Sequence, residues 1–487
     1  MTGPQALSRD EALAWLGRQA GLTMGLGLAR MHGLLGLLGR PDLAIPRLLH
    51  VAGTNGKGST ARMAAAILQA AGCRTGLYTS PALEDPVEVC RIDDEPPDPD
   101  TLAALVAELI PATVEAEGRL GEAPTPFERW TALMYLWCAR KGVDVLVQET
   151  GLGGRLDATN AAARTHVAAI SSIAVEHTDW LGSSLEQIAA EKAAILRPGM
   201  LAVTSAEGPA LAVVAEAARA KKVPLYRVVD EEASGAAAGS RDHPAGGVFR
   251  VTGITTGSTG TRFVLAGPGC PPLPLRCPLP GRHQAMNAAL AAAAVLLLAR
   301  RGLPQPVTPT VLQKGLAGAS WPGRLEIWPS RPEVVFDVAH NPHGARALVA
   351  ALREIFPGRR PVVVCGMLAD KDAAGAAAQW QDWPPAHILT VDPENPRAMP
   401  APTLARHFQA AGLPARAMPS LAEGLAEGLA LARREPGALL VVTGSFYVVG
   451  PARRELAFMA PQPPGALPPG PEAAGEAAPE SRRDTAP

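Results

Sequence analysis

Cysteine is scarce and scattered in this chain. The six thiols, Cys73, Cys90, Cys138, Cys270, Cys277 and Cys365, form no C-x-x-C pair. That argues against a disulfide framework or a zinc site and for reduced thiols in a cytoplasmic protein. Surplus charge is also missing. With 45 Lys and Arg against 46 Asp and Glu, the formal net charge is −1, so nothing draws the chain to nucleic acid or an anionic membrane. Long apolar runs are absent too. The longest, AALAAAAVLLLA from Ala288, is shorter than the ~20 residues a spanning helix needs and reads as a buried helix. The first residues, MTGPQALSRDEALAWLG, carry early acids in place of the basic-then-apolar pattern of a secretion signal.

What the chain does have is core-forming material. Its 487 residues are 47% hydrophobic and 19% charged, a globular balance with room for two or three domains. Short apolar runs alternate with Ala- and Leu-rich helical stretches, the pattern of parallel α/β architecture. The runs are RLLHVA from Arg47, VDVLVQ from Val143, HVAAISSIAV from His166, EVVFDV from Glu333, PVVVCG from Pro361, AHILTV from Ala386 and ALLVVTG from Ala438. Most lack in–out alternation, as strands covered on both faces do. From Asp230 to Gly281 the composition turns to Gly, Pro and Thr, with short alternating pieces such as VFRVTGI and TRFVLAG, which predicts a hairpin-rich appendage. A helix is expected from His283 to Arg301, then a Pro-broken connector. A boundary near Trp321-Pro322-Gly323 would divide the chain into domains 1–320 and 321–460. The remainder, PQPPGALPPGPEAAGEAAPESRRDTAP over 461–487, cannot bury apolar surface and is expected to be a disordered tail.

The most informative stretch is HVAGTNGKGSTARMAAAIL, His50 to Leu68. The usual phosphate loop is spelled G-x-x-x-x-G-K-[ST]. Here only two residues separate Gly53 from Gly56-Lys57, and Gly58 stands between Lys57 and Ser59-Thr60. The context still fits: the apolar run Leu48–Ala52 leads in, and Met63, Ile67 and Ala71 share one face of the following helix. Thr54, Asn55, Gly56, Lys57, Gly58, Ser59 and Thr60 would then cradle ATP. Glycines admit phosphate oxygens to backbone N–H groups, the helix start adds partial positive charge, and Lys57 adds a full one. Ser59 or Thr60 could reach Mg2+. The compressed spelling argues against ordinary GTPases, kinases and motors.

Gly53, Glu149, His177, Asp337 and Gly444 each lie at or just beyond the end of an apolar run. In open parallel sheets ligands bind outside the carboxyl ends of the strands, which would collect these residues along one edge. Taken alone, each keeps an ordinary reading: Glu149 as a solvated acid, His177 as a structural histidine, Lys192 as a helix lysine and Phe127 as a core ring.

The segments LYTSPALEDPVEVCRID, TPFERWTALMYLW, QETGLGGRLDATN, SIAVEHTDWLGSSLEQIAAEKAAILRPG, WPGRLE, FDVAHNPHGA, GMLADKD and VTGSFYVVG follow one another along the chain. With GTNGKGS they resemble the folylpolyglutamate synthase/dihydrofolate synthase family of the Mur ligase superfamily, over roughly residues 28–450. The resemblance implies an α/β protein of two domains: an N-terminal P-loop-type parallel-sheet ATPase domain, like the central domain of Mur ligases, and a smaller Rossmann-like C-terminal α/β domain. It implies a cytoplasmic, monomeric ligase that uses ATP and Mg2+ to join L-glutamate to dihydropteroate or a reduced folate through an acyl phosphate. The complete pteroate segments favour both activities over chain extension alone.

Carried over residue by residue, Ser80, Glu149 and His177 fall on metal-ligand positions, and Lys192 on a carbamylated lysine. Thr125, Pro126, Phe127 and Glu128, with Leu156, Asp157 and Ala158, fall on pteroate contacts. Asn287, Arg324 and Asp337 match ATP contacts, and His340 and Ser445 the amino-acid side. Lys57, Lys192, His340 and Ser445 form the expected catalytic set. The family usually has Asp before the metal-ligand histidine, where this chain has Glu176, and the LADKD motif leaves Lys371 and Asp372 without a role. Two other readings compete. A Mur-type peptidoglycan ligase is disfavoured by HTDWLG and by the absence of an obvious nucleotide-sugar domain. A nucleotide-gated, non-catalytic binding protein is disfavoured by intact Lys57, Glu149, His177 and Lys192.

Overall fold

The computed structural model describes residues 7–18, 27–234 and 246–459; the tail expected over 461–487 lies outside them. Strands β1 (Leu48–Ala52), β2 (Thr75–Tyr78), β3 (Cys90–Ile92), β4 (Val145–Glu149), β5 (Val167–Ile170), β6 (Leu201–Thr204), β7 (Leu225–Asp230), β8 (Val248–Gly257), β9 (Gly260–Gly267) and β10 (Cys270–Cys277) make one ten-stranded sheet. Its order is β10-β9-β8-β7-β6-β5-β1-β4-β2-β3. From β8 to β2 all neighbours are parallel; β3, β9 and β10 pair antiparallel at the edges. Residues of β1, β4 and β5 are buried along their whole length, which is why these runs show no alternation.

The helices Lys57–Ala70, Arg282–Ala299 and Pro309–Ala317 cover one face. Pro99–Leu120 and Pro126–Lys141 cover the other. The Ala-rich run is the interior helix expected of it: Ala288 through Ala294 are fully buried, and the small side chains let its backbone lie close to the sheet and to Lys57–Ala70. No helix among the described residues is long and apolar enough to cross a membrane.

Two expectations are corrected. The Gly/Pro/Thr-rich stretch is no separate appendage. Its hairpins extend the main sheet, because β8 pairs in parallel with β7 and Phe249, Val251, Phe263, Leu265 and Leu275 turn into the same core as the Ala-rich helix. The run His166–Val175 is strand only over Val167–Ile170. Ser171 then turns its hydroxyl onto Asn55 O (2.8 Å) and the chain leaves the sheet. His177 therefore stands in a loop beyond the strand end, with a left-handed φ of 54°.

A second sheet of six strands has the order β11-β12-β16-β13-β14-β15, from β11 (Glu326–Trp328), β12 (Val334–Asp337), β13 (Pro361–Cys365), β14 (His387–Thr390), β15 (Ala415–Ala417) and β16 (Leu439–Thr443). Only β11 runs antiparallel to its neighbour. Pro342–Ile355 and Ala401–Ala410 pack on one face, Leu421–Arg434 and Phe446–Met459 on the other. Between the sheets, the turn at Gly323 (φ 69°) lies after Pro309–Ala317 and before β11. The lobes also touch where Arg453 pairs with both Glu84 and Glu326.

Candidate active site between the two lobes

The carboxyl ends of β1, β4 and β12 face one cleft between the lobes. At its floor, Gly53 and Gly56 adopt φ values of 145° and 87°. A Cβ at Gly53 would stand 1.9 Å from Ser171 Oγ, and one at Gly56 2.3 Å from Asn287 Oδ1. Both positions thus require glycine for conformation and for space. Lys57 opens the helix and folds its ammonium back onto Thr54 O (3.1 Å), 3.9 Å from Glu149 Oε1. Thr54 is fixed through its N–H to Ser172 O (2.8 Å). Asn55, Gly56, Gly58 and Ser59 line the cleft with Lys57, whereas Thr60 is fully buried and does not.

Asn287, on helix Arg282–Ala299, stands beside the loop against Gly56, and Arg324 and Asp337 stand across the cleft. The Arg324 guanidinium lies over the Phe446 ring, 4.7 Å from its centroid. Burial pulls it below the usual arginine value, against the charges of Asp337 and Glu149. The Asp337 carboxylate accepts from Leu325 N and Ala339 N, both at 2.8 Å, so it builds the turn beside Arg324.

Ser80, Glu149 and His177 line the same cleft. Glu149 is 5% exposed, and its Oε2 accepts only a long bond from Ser80 N, 3.3 Å. Burial raises its pKa, opposed by the charges of Lys57 and Arg324. His177 is pushed down to about 4, mainly by burial, so its imidazole is neutral at physiological pH. Among the described residues no three His, Cys, Asp or Glu side chains converge as a metal cluster. A cation here would rest on one carboxylate, one imidazole, the Ser80 hydroxyl and phosphate oxygens. The oxygen donors suit magnesium, which keeps few protein ligands, whereas the imidazole is an unusual partner for it.

Lys192 is buried, and its ammonium donates to Gly53 O at 2.7 Å, directly beneath the loop. Burial first, then the Lys57 charge, lowers it to about 7.

A second cavity of about 460 Å³ opens beside the first. Phe127, Leu156, Asp157 and Ala158 line it from the first lobe, and His340, Lys371, Ser445 and Tyr447 from the second. TPFE is also the capping box of helix Pro126–Lys141. Thr125 Oγ1 accepts from Glu128 N (3.2 Å), Glu128 Oε2 accepts from Thr125 N (2.7 Å), and Pro126 fills the first turn. Glu128 is further engaged by Arg30 at 3.0 Å. Of these four residues, Phe127 is the one whose side chain is open for stacking, 5.8 Å from the Tyr78 ring. Asp157 accepts from Leu152 N (2.8 Å) and Thr159 N (3.0 Å), which holds the LDA turn against the cavity.

Gly151 sits under Phe127: a Cβ there would meet ring atoms at 2.5, 2.8 and 3.0 Å. Gly151→Ala should therefore displace the ring and raise KM for a flat acid stacked on Phe127 ~10-fold, by more than it raises KM for ATP. Steady-state kinetics check it, and an equal rise in both KM values would contradict it.

One cluster escaped the sequence. Glu176 Oε1 lies 2.9 Å from Lys371 Nζ and 3.2 Å from His340 Nε2, and Lys371 Nζ lies 3.4 Å from His177 Nε2. Despite burial, these hydrogen-bonding and charged partners hold Glu176 far below the usual carboxylate range. The LADKD motif after β13 was the available signal. Ser445 lines the second cavity ahead of helix Phe446–Met459, its hydroxyl accepting from Tyr447 N (3.2 Å).

Comparison with known proteins gives these contacts a lineage. The Mur ligase middle domain matches residues 51–295, and the Mur ligase glutamate ligase domain matches 323–446. The Escherichia coli dihydrofolate synthase/folylpolyglutamate synthase is 34% identical over 453 residues, covering 92% of this chain and 95% of that protein. The chain belongs to the folylpolyglutamate synthase/dihydrofolate synthase family. The Mycobacterium tuberculosis folylpolyglutamate synthase complexed with ADP superposes on it with a TM-score of 0.81 at 30% identity, covering 92% of this chain and 98% of that one. The E. coli enzyme in complex with DHPP and ADP gives 0.78 at 30% identity, covering 94% and 99%. A Halobacterium salinarum relative, named a probable bifunctional folylpolyglutamate synthase/dihydropteroate synthase, is 34% identical over 86% of this chain. The chain spans about half of that relative's length (48%).

Proposed function

We propose that this synthase uses ATP to join L-glutamate to the carboxylate of dihydropteroate, and in further rounds to the side-chain carboxylate of a folate. The observation that carries the reading is a shared wall: Ser80, Gly151, Leu152, His177, His340 and Phe446 line both the phosphate-loop cleft and the apolar cavity. A pterin-type acid lying on Phe127 would thus present its carboxylate to the terminal phosphate of a nucleotide held by the loop. In the first step a carboxylate oxygen attacks the γ-phosphorus, the bond to the β-phosphate oxygen breaks, and ADP and an acyl phosphate form. In the second, the glutamate amine attacks the acyl carbon, phosphate leaves, and the nitrogen gives up a proton. Transfer of this kind depends on positioning and on cations facing the developing charge.

Lys57 and Arg324 supply fixed positive charge. Magnesium would be held by Ser80, Glu149 and His177; when bound it neutralises phosphate charge. Lys192, with its pKa near neutrality, has a reactive neutral fraction that can add CO2, forming an N–C bond and releasing a proton. The resulting carbamate would reverse the charge beneath the loop. His340 and Ser445 face the amino-acid side. ADP binding in the neighbouring structures supports the nucleotide reading, and DHPP in the E. coli complex supports the acid cavity.

The test is ADP release with glutamate plus either dihydropteroate or a reduced folate. Both acids should stimulate it. Release with the reduced folate alone would remove the first activity, and release with neither would overturn the proposal in favour of a nucleotide-gated binding protein.

A further inference from the structure

The side chain of Asn55, within the phosphate loop, does not point along the loop. It crosses to the other lobe and pairs with Asn341, 286 positions later. Asn55 Nδ2 donates to Asn341 Oδ1 at 3.2 Å, and Asn341 Nδ2 donates to Asn55 Oδ1 at 3.1 Å. The second Asn55 amide hydrogen has its own acceptor, His343 Nδ1, at 2.9 Å; an amide nitrogen can only donate, so this contact takes Nδ1 as the unprotonated ring nitrogen. Asn341 is itself 3% exposed and caps helix Pro342–Ile355 by accepting from Gly344 N at 2.7 Å.

The backbone of Asn55 is gripped from its own lobe: its carbonyl accepts from Ser171 Oγ (2.8 Å) and Ser172 Oγ (3.2 Å). The residue is therefore held at both ends, by the first sheet through the main chain and by the second lobe through the amide. Gly56 follows directly, and the N–H groups of Gly56 and Lys57 turn with it.

We propose that Asn341 is a positioning residue of the nucleotide site, which sets the phosphate loop from the opposite lobe through this reciprocal amide pair and so ties nucleotide affinity to the contact between the lobes. The proposal rests on the loop being the nucleotide site. It assigns Asn55 a role across the lobe interface in place of a direct side-chain contact with ATP. The plain alternative is that Asn341 only caps its helix.

Serine separates the two. Asn341→Ser keeps a hydroxyl that can cap Gly344 but cannot reach Asn55. In the full chain, calorimetric titration with ADP alone should show about tenfold weaker binding than wild type, the scale of two lost hydrogen bonds in a buried setting. The thermal unfolding midpoint should fall no further than in Asn55→Ser, which loses the same pair and leaves the Asn341 cap in place. The double variant with Asn55→Ser should bind ADP no more weakly than Asn55→Ser alone, because both changes remove one and the same pair. Wild-type ADP affinity in Asn341→Ser, or losses that add in the double variant, would overturn the proposal. If Asn341→Ser does not fold, Asn341→Thr replaces it, with the same expected and contrary results. Failure of the wild-type chain itself to bind ADP would overturn the nucleotide reading and leave no loop for the pair to set.

Discussion

Replacing Lys57 with alanine is expected to lower kcat by ~10³-fold or more while leaving the fold intact. The ammonium is partly exposed to the cleft and makes one hydrogen bond, to Thr54 O at 3.1 Å. That carbonyl can take water once the side chain is gone. Gly53 and Gly56 keep the backbone conformation that shapes the loop, so the change removes charge without removing shape. The decisive loss falls in the transition state, where phosphoryl oxygens gather negative charge beside the lysine. ADP release in the presence of pterin acid and glutamate, with circular dichroism as the control for folding, measures it. Unchanged turnover would mean that the loop is not the phosphoryl-transfer site.

Glu149→Gln should be nearly as damaging, with kcat down about 10²–10³-fold and a higher magnesium concentration needed for half-maximal rate. The substitution is isosteric, and the carboxylate is poorly compensated as it stands: buried, with one long N–H bond and a lysine 3.9 Å away. Such a charge costs stability unless a cation meets it. The unfolding midpoint of Glu149→Gln is therefore expected to hold or rise while activity falls. A variant that lost both together would mark Glu149 as a structural residue instead of a cation ligand.

Much of this architecture was legible because local chemistry announced it. Buried strands read as unbroken apolar runs, the Ala-rich segment could be nothing but an interior helix, and Gly53, Gly56 and Lys57 carried the loop. Phe127 and the LDA turn were found by resemblance, and they line one cavity. What escaped depends on contacts between distant segments. The edge role of β8 to β10 is set by which strand they pair with, and an alternating pattern is compatible with a free hairpin or a sheet edge alike. The apolar run continues past the strand to Val175, so its end lies nearer His177 than the strand's end at Ile170; the hydroxyl bonds of Ser171 and Ser172 to Asn55 mark where the strand gives way. The Glu176–Lys371 contact joins residues 195 positions apart, and nothing in either segment names its partner. Glu128 lines the cavity too, while its carboxylate completes a capping box and an ion pair with Arg30, and nothing in the segment itself names that arginine.

The phosphate-loop cleft and the apolar cavity share a wall, and in the proposed function ATP phosphorylates the acid held in the second. The direct measurement is the fate of oxygen when the acid carries an 18O-labelled carboxylate and the reaction runs with ATP and L-glutamate. Passage through an acyl phosphate predicts one labelled oxygen in each inorganic phosphate released. Inorganic phosphate free of label, formed alongside amide product, would contradict the account.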